Sequence, residues 1–435
     1  MTQKKNTSAE EETFLDVATG LRYRKWGEEE YNKALDEWLD ERNKHAGESY
    51  KVQLGVWPPN PDCYETQNIE WVTTDWIRRY ADSIGDFKNS LWRSEDYAKN
   101  TVWGGIIAPP MFLDAIASTF VDPYADIMVT GYPAPRPPGL GAMPAGSSCK
   151  FFHVIRPGDK FRVIDTLMGV EEKDRDKHLK TKGYRLFLEI TRRTYINQRE
   201  EVVATADSPI IRPGLRPGGP ATRKEAFFSD REHFKYTKEY LDLIYRTYDE
   251  EKPRGDETLY WEDVVVGEEL QTIVAGPLDA GDNAIFMGAI GFNGAFGYKY
   301  FWNKVQPGLN HYQIDPITGD YTHGARAHFD NEKLRGEHPY GWGGQAWGLL
   351  CRLVTNWMGD DGFLKSYETK MLRTWLFEDT SWMKGKIAKK YVEGDEYLVD
   401  LELHIENQSG FIFMTGVATV RLPARSAVQA KLHKK

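Results

Sequence analysis

The stretch ITGDYTHGARAHFD (317–330) sets Asp320, His323, His328 and Asp330 within a few positions of one another. A histidine beside a carboxylate can take a proton from water near neutral pH while the carboxylate orients that water. His311, His323, His328 and Asp320 are also of the types that bind a divalent metal. No two of these histidines stand four apart on a helix, however, the spacing that would aim both at one ion. A merely polar loop is the plainest alternative. Asp330 opens DNEKL, which reads as a helix start, so a capping role suits it as well. Downstream runs GWGGQAWGLLCRLVTNWMG (341–359), rich in glycine and tryptophan.

What positions these groups is a plan that occurs twice. In the first half, TTDWIRRYADSIGD (73–86) predicts a helix with Ile77, Tyr80, Ala81 and Ile84 on one face. GGIIAPPMFLDAIASTF (104–120) predicts a second, buried helix, with Pro109–Pro110 at its start. Strands follow in DKFRVIDTLMGV, YRLFLEITRRTYI and EVVATADSPII. The second half repeats the order with helices over 278–291 and 343–359, the latter carrying Leu350, Leu353, Val354, Trp357 and Met358 at helical spacing and Gly359 as its stop. In EYLVDLELHIENQSG the alternation Tyr397, Val399, Leu401, Leu403, Ile405 gives one buried face and one wet face. One helix wrapped by a curved antiparallel sheet, twice over, is an α+β intramolecular pseudo-dimer. The divisions read as an N-terminal extension (1–65), an upstream unit (66–215), a linker (216–256), a downstream unit (257–425) with an insertion at about 294–327, and a basic tail (426–435). The charged run 171–183 reads as a solvated hairpin loop.

Composition sets the outer limits. A chain of 435 residues with 40% hydrophobic and 13% aromatic content can bury more than one core. A net charge of −9 argues against nucleic acid or an anionic membrane as the main partner. Cys63, Cys149 and Cys351 form no C-x-x-C and imply neither a disulfide framework nor a zinc ribbon. With no secretory-type leader and no apolar run of about 20 residues, the expected setting is cytoplasmic.

YADSIGDFKNSLWRSEDYAKNTVWGGIIAPPMF together with IRPGDKFRV…TYINQREEVVATADSPIIR resembles the N-terminal half of MaoC-like acyl dehydratases. AHFDNEKL…GWGGQAWGLLCRLVTNWMGDDG is similar to their C-terminal half, so the resemblance spans about 70–425. It implies a double hot-dog fold in which each half is a curved antiparallel sheet around a central helix. It also implies (R)-specific hydration of 2-enoyl-CoA or dehydration of 3-hydroxyacyl-CoA, with an acyl-CoA thioester as substrate and neither metal nor organic cofactor. The family pattern G-D-x-N-P-x-H-x-D puts aspartate and histidine five apart around one water, and a glycine N–H at the helix start holds the thioester oxyanion. Upstream, Gly85–Asp86 and Asn89 match, but Trp92 stands at the histidine position and Pro110, which has no N–H, at the glycine. Downstream, His328, Asp330 and Gly343 match, while Phe292 replaces the aspartate and Asn293 follows it. Asp320, eight positions before His328, is the preferred replacement; His323, at the five-residue spacing, is the other. The resemblance thus implies catalysis by His328, Asp320 and Gly343, with Asp86, Asn89, Trp92, Asn293, Asp330 and Trp342 around the substrate. Trp302, Trp342 and Trp347 either line an acyl pocket or simply fill the core. Thioester hydrolysis on the same fold is a second reading. A third is a degenerate subunit that binds acyl-CoA, pairing with itself or with a second hot-dog chain.

Overall fold

The computed structural model describes residues 13–16, 21–51, 53–54, 66–118, 137–222, 226, 233–291, 312–314, 319, 321–323, 328–329 and 338–426. Runs of alternating side chains close into one eleven-stranded sheet in which every pairing is antiparallel. Its strands in chain order are β1 (Ser49–Lys51), β2 (Gly146–Phe151), β3 (Phe161–Glu172), β4 (Arg185–Asn197), β5 (Val202–Gly214), β6 (Ile273–Ala275), β7 (Phe363–Met371), β8 (Ser381–Glu393), β9 (Glu396–Glu406) and β10 (Ile412–Arg421), with a two-residue strand, Met143–Pro144, beside β5. The spatial order is β6-β8-β9-β10-β7-β2-β5-β4-β3-β1. Each half therefore holds a three-strand meander whose last strand pairs with an earlier strand of the same half, β5 with β2 and β10 with β7. The halves join where β2 meets β7, with Cys149 opposite Tyr367.

Besides a single turn at Glu95–Ala98, the described α-helices include α1 (Glu28–Lys44), α2 (Thr74–Ser83), α3 (Leu113–Ile116), α4 (Arg175–Lys182), α5 (Lys238–Glu250), α6 (Ala280–Ile290) and α7 (Gly343–Met358). In α2 the Thr73 hydroxyl accepts from Trp76 N, and Ile77, Tyr80 and Ala81 are buried, as the periodicity predicts. α7 is the central helix of the downstream half. All its residues from Gly344 to Asn356 are buried, and Gly359 at φ 66° ends it. At Gly348 a Cβ would lie 2.8 Å from Ile84 and 3.0 Å from the Tyr80 hydroxyl, so the glycine is what lets α2 of the upstream half rest on α7. Among the described residues no helix is long and apolar enough to cross a membrane.

Two expectations change. The helix predicted over 104–120 is a 3-10 turn, Pro110–Phe112, followed by the single turn α3; Ala117 is already extended at φ −154°, ψ 126°. The carbonyls that would continue the helix are taken by distant groups. Asn68 N donates to Ile116 O (2.8 Å), the Tyr195 hydroxyl to Ala117 O (2.7 Å), and the Arg193 guanidinium to Ser118 O. Satisfied by the sheet, these oxygens no longer need helical donors. The second change is that the run 171–183 holds the helix α4, capped by Asp174 and ended by Gly183 in the left-handed region.

Inward-facing residues of β4 are Arg185, Phe187, Glu189, Thr191, Arg193 and Tyr195, all buried. α3 packs at the Tyr195 end of this face. α1 packs at the other end, where Trp38 meets Phe187 edge-on (centroids 5.5 Å apart) and Tyr31, Leu35 and Val170 complete a second small core. Arg42 of α1 and Arg212 of β5 both ion-pair with the buried Glu189. The extension helix thus covers the part of the upstream sheet that the short α3 leaves bare.

Candidate active site

In the upstream half the motif loop follows α2. Arg352 of α7, fully buried, donates to Ile84 O (3.0 Å) and Gly85 O and, through its other amine, to Val274 O (3.0 Å), so it pins this loop to the downstream half. Asn89 caps the next turn, its Oδ1 accepting from Leu91 N at 3.0 Å. Trp92 donates its indole N–H to Asp86 Oδ2 at 2.7 Å, and both side chains are buried. An indole neither takes nor gives a proton near neutral pH, so this pair is built to pack.

Burial pushes the Asp86 carboxyl up to about 6, although Trp92 and Arg352 act the other way. An acid that holds its proton more tightly folded than unfolded loses stability as pH rises from 3.8 through about 6. The loss is about 3 kcal/mol at most. Asp86→Asn should accordingly match the parent at pH 4 and exceed it at pH 8 by about 1–3 kcal/mol, read from urea midpoints at the two pH values. Equal midpoint differences at both would contradict it.

In the downstream half the decisive side chain is His328. Its Nδ1 lies 2.9 Å from Tyr340 O, a carbonyl that can only accept, so Nδ1 carries the proton and Nε2 is the basic nitrogen of the neutral ring. The ring stacks on Trp342 (3.7 Å between centroids, 11° between planes) and tilts against Tyr340. Asn283 of α6, fully buried, donates to both His328 O (2.7 Å) and Tyr340 O (3.1 Å), which locks the histidine segment to the residues leading into α7. Trp342 is the residue before Gly343, so the imidazole lies beside the first turn of α7. There the N–H groups of Gly343, Gly344 and Gln345 precede the first intrahelical bond, Ala346 N to Trp342 O (3.1 Å). Trp342 puts no side-chain cap on them. Such amides at a helix's positive end stabilise developing negative charge.

Several predicted residues fall elsewhere. Asp320, Asn293 and Asp330, with His311 and Trp302, lie outside the described residues. His323 pairs with Tyr312 in a short hairpin within the insertion, its side chain also outside the description. Among the described residues no three His, Cys, Asp or Glu gather to hold a metal.

Two polar residues were missed by sequence reasoning. Asn283 stands beside the capping box Asp279/Asp282 at the start of α6, but nothing local says that its amide reaches the histidine. Asp114, on α3, is fully buried, and its Oδ2 accepts from Trp347 Nε1 of α7 at 3.2 Å. The only hint was a carboxylate inside an otherwise apolar run.

Residues 64–206 match the family model of the FAS1-like dehydratase domain region. A search of curated proteins found no match. A solved MaoC-like dehydratase superposes with a TM-score of 0.55 at 16% identity, covering 87% of this chain and 98% of that one. A conserved hypothetical protein from Mycobacterium tuberculosis with a double hotdog fold gives 0.50 at 12% identity, covering 87% and 96%. This chain is a double hot dog. The likeness accounts for the duplicated meander and the α+β class. At the motif positions the upstream half carries Trp92 and Pro110, and the downstream half His328 and Gly343.

Proposed function

We propose that this MaoC-like chain is a hydro-lyase of cytoplasmic acyl-CoA metabolism, hydrating 2-enoyl-CoA to (R)-3-hydroxyacyl-CoA or running the reverse dehydration. The observation that carries the reading is His328, held with Nδ1 on Tyr340 O and stacked on Trp342 at the mouth of α7. In the forward direction Nε2 takes a proton from water as the water oxygen bonds C3 of the enoyl group. The C2–C3 electron pair moves toward the thioester, whose oxygen gains charge against the Gly343 N–H, and a proton returns at C2. Asp320 is the carboxylate expected from sequence. The upstream half contributes Trp92 and Asp86 as an acyl wall, and Asn89 by holding their turn.

The test is direct. Purified chain is mixed with trans-2-enoyl-CoA esters of short, long and ring-bearing acyl groups, and product chirality and free thiol are followed. Hydration with the thioester intact and an (R)-hydroxyl is the expected result. Free thiol without hydration would point to a thioesterase. Tight acyl-CoA binding without turnover in either direction would replace the enzyme reading with that of a binding subunit.

A further inference from the structure

Asn283 and Gln345 are buried amides that use their atoms in the same lopsided way. The Asn283 nitrogen donates to two carbonyls, His328 O (2.7 Å) and Tyr340 O (3.1 Å). The Gln345 nitrogen also donates to two, Asp282 O and Ser83 O, both at 3.2 Å. Their oxygens, Asn283 Oδ1 and Gln345 Oε1, are buried with no hydrogen-bond partner among the described residues. A buried acceptor left unpaired costs stability, so these amides are better explained by what their N–H groups hold in place. We infer that Asn283 and Gln345 are positioning residues that make the first turn of α6 a common brace, Asn283 for the imidazole of His328 and Gln345 for the amides of α7. The inference rests on the hydro-lyase reading and names what sets the geometry of that site.

The brace starts from a fixed point. Asp279 caps α6, its Oδ1 accepting from Gly281 N (2.6 Å) and Asp282 N (3.1 Å), while Asp282 Oδ2 accepts from Asp279 N (3.0 Å). The Asp282 carbonyl and the Asn283 side chain therefore leave this turn in set directions. Asn283 reaches the two carbonyls that govern the imidazole. One is that of His328 itself, and the other is Tyr340 O, which accepts from Nδ1 at 2.9 Å. Which ring nitrogen is basic depends on the bond that the other one makes. Holding Tyr340 O thus keeps Nε2 the basic atom, and holding His328 O fixes the backbone that carries the ring.

Gln345 does the corresponding work for the helix start. Its own N–H is among those that precede the first intrahelical bond, Ala346 N to Trp342 O. Its side chain ties that turn to Asp282 on α6 and to Ser83 at the end of α2, just ahead of the upstream motif loop. The tie therefore crosses between the halves. Base and amides are both referenced to neighbouring residues of one helical turn, Asp282 and Asn283.

The test compares the parent with Asn283→Leu and Gln345→Met, which keep the length of each side chain and remove its donors. Asn356→Leu is the control, because Asn356 is a buried amide near the other end of α7 that donates to Glu251 Oε1 at 2.8 Å. The readouts are kcat and KM for hydration of a trans-2-enoyl-CoA, and the ring 15N NMR shifts of neutral His328, assigned by their absence in His328→Gln. Asn283→Leu should lower kcat about 100-fold with KM little changed, the loss expected of a slightly misplaced reacting group. It should also turn a ring protonated on Nδ1 into a mixture of both tautomers. Gln345→Met should lower kcat about 10-fold and leave the tautomer as in the parent. Asn356→Leu should lower the urea midpoint and move neither readout. If Asn283→Leu keeps the parental kcat and tautomer, or Asn356→Leu reproduces its losses, Asn283 only packs and the proposal is overturned. Parental kcat in Gln345→Met would remove α7 from the brace. If the parent hydrates no thioester, the hydro-lyase reading fails separately, and the tautomer alone decides whether Asn283 sets the ring. Should the leucine variant not fold, Asn283→Ser, whose single hydroxyl cannot span both carbonyls, carries the same readouts.

Discussion

Exchanging His328 for glutamine will lower kcat for enoyl-thioester hydration by about 1,000-fold, within the span that a general base contributes. KM should change little, because the thioester carbonyl would still meet the Gly343 amide and the acyl chain would still meet the upstream wall. The reasoning is specific to the ring. Tyr340 O fixes the proton on Nδ1, so Nε2 is the atom that would gain and lose one in the proposed reaction. A glutamine amide can occupy much of the same volume and hydrogen-bond to Tyr340 O, yet it has no lone pair basic enough to take a proton from water. His404, on β9 and near Glu406, is the control: His404→Gln should leave kcat unchanged. Retention of more than about a tenth of parental kcat by the His328 variant would remove it from the chemistry.

Glu189→Gln will destabilise the fold by about 3–5 kcal/mol, a large share of the total stability of an ordinary domain. Glu189 is fully buried between two guanidiniums, and Arg42 Nε donates to it at 2.9 Å. Burial alone would raise its pKa, but the charges of Arg212 and Arg42 win and hold it below the usual carboxylate range. A depressed acid pKa means that the stabilisation is present above the unfolded value and lost as pH falls through the folded one. Glutamine keeps the shape and leaves two buried cations facing a neutral amide. Urea midpoints at pH 7 measure the effect, and a loss under about 1 kcal/mol would show that the pair contributes little. Arg42→Ala should produce a loss of the same sign through undocking of α1.

The duplicated plan, α2, α6, α7 and the strand pairs were legible because each depends on local periodicity. Ile77, Tyr80 and Ala81 share a face wherever α2 is placed, and Val399, Leu401 and Leu403 alternate in any antiparallel pair. The upstream central helix was misjudged for the opposite reason. Its stop is made by Tyr195 and Arg193, some eighty positions away, and no residue within 113–118 signals it. The site divides in the same way. His328 and Gly343 were visible as a motif, whereas the tautomer depends on the Tyr340 carbonyl, and the contact of Asp114 with Trp347 on the meeting of the two halves. Contacts that cross between the halves leave no period in either.

The match to the dehydratase region opens at residue 64, yet the helix over 28–44 supplies a lid for ionised groups deep inside that region. A shortened protein cut at the homology boundary would therefore present water with the Glu189–Arg212 ion pair, relieved of Arg42, and an unshielded Phe187. Poor expression or clumping of such a fragment would reflect a missing structural organ rather than any defect in the conserved portion. Anyone producing the upstream half should keep everything from residue 21 onward.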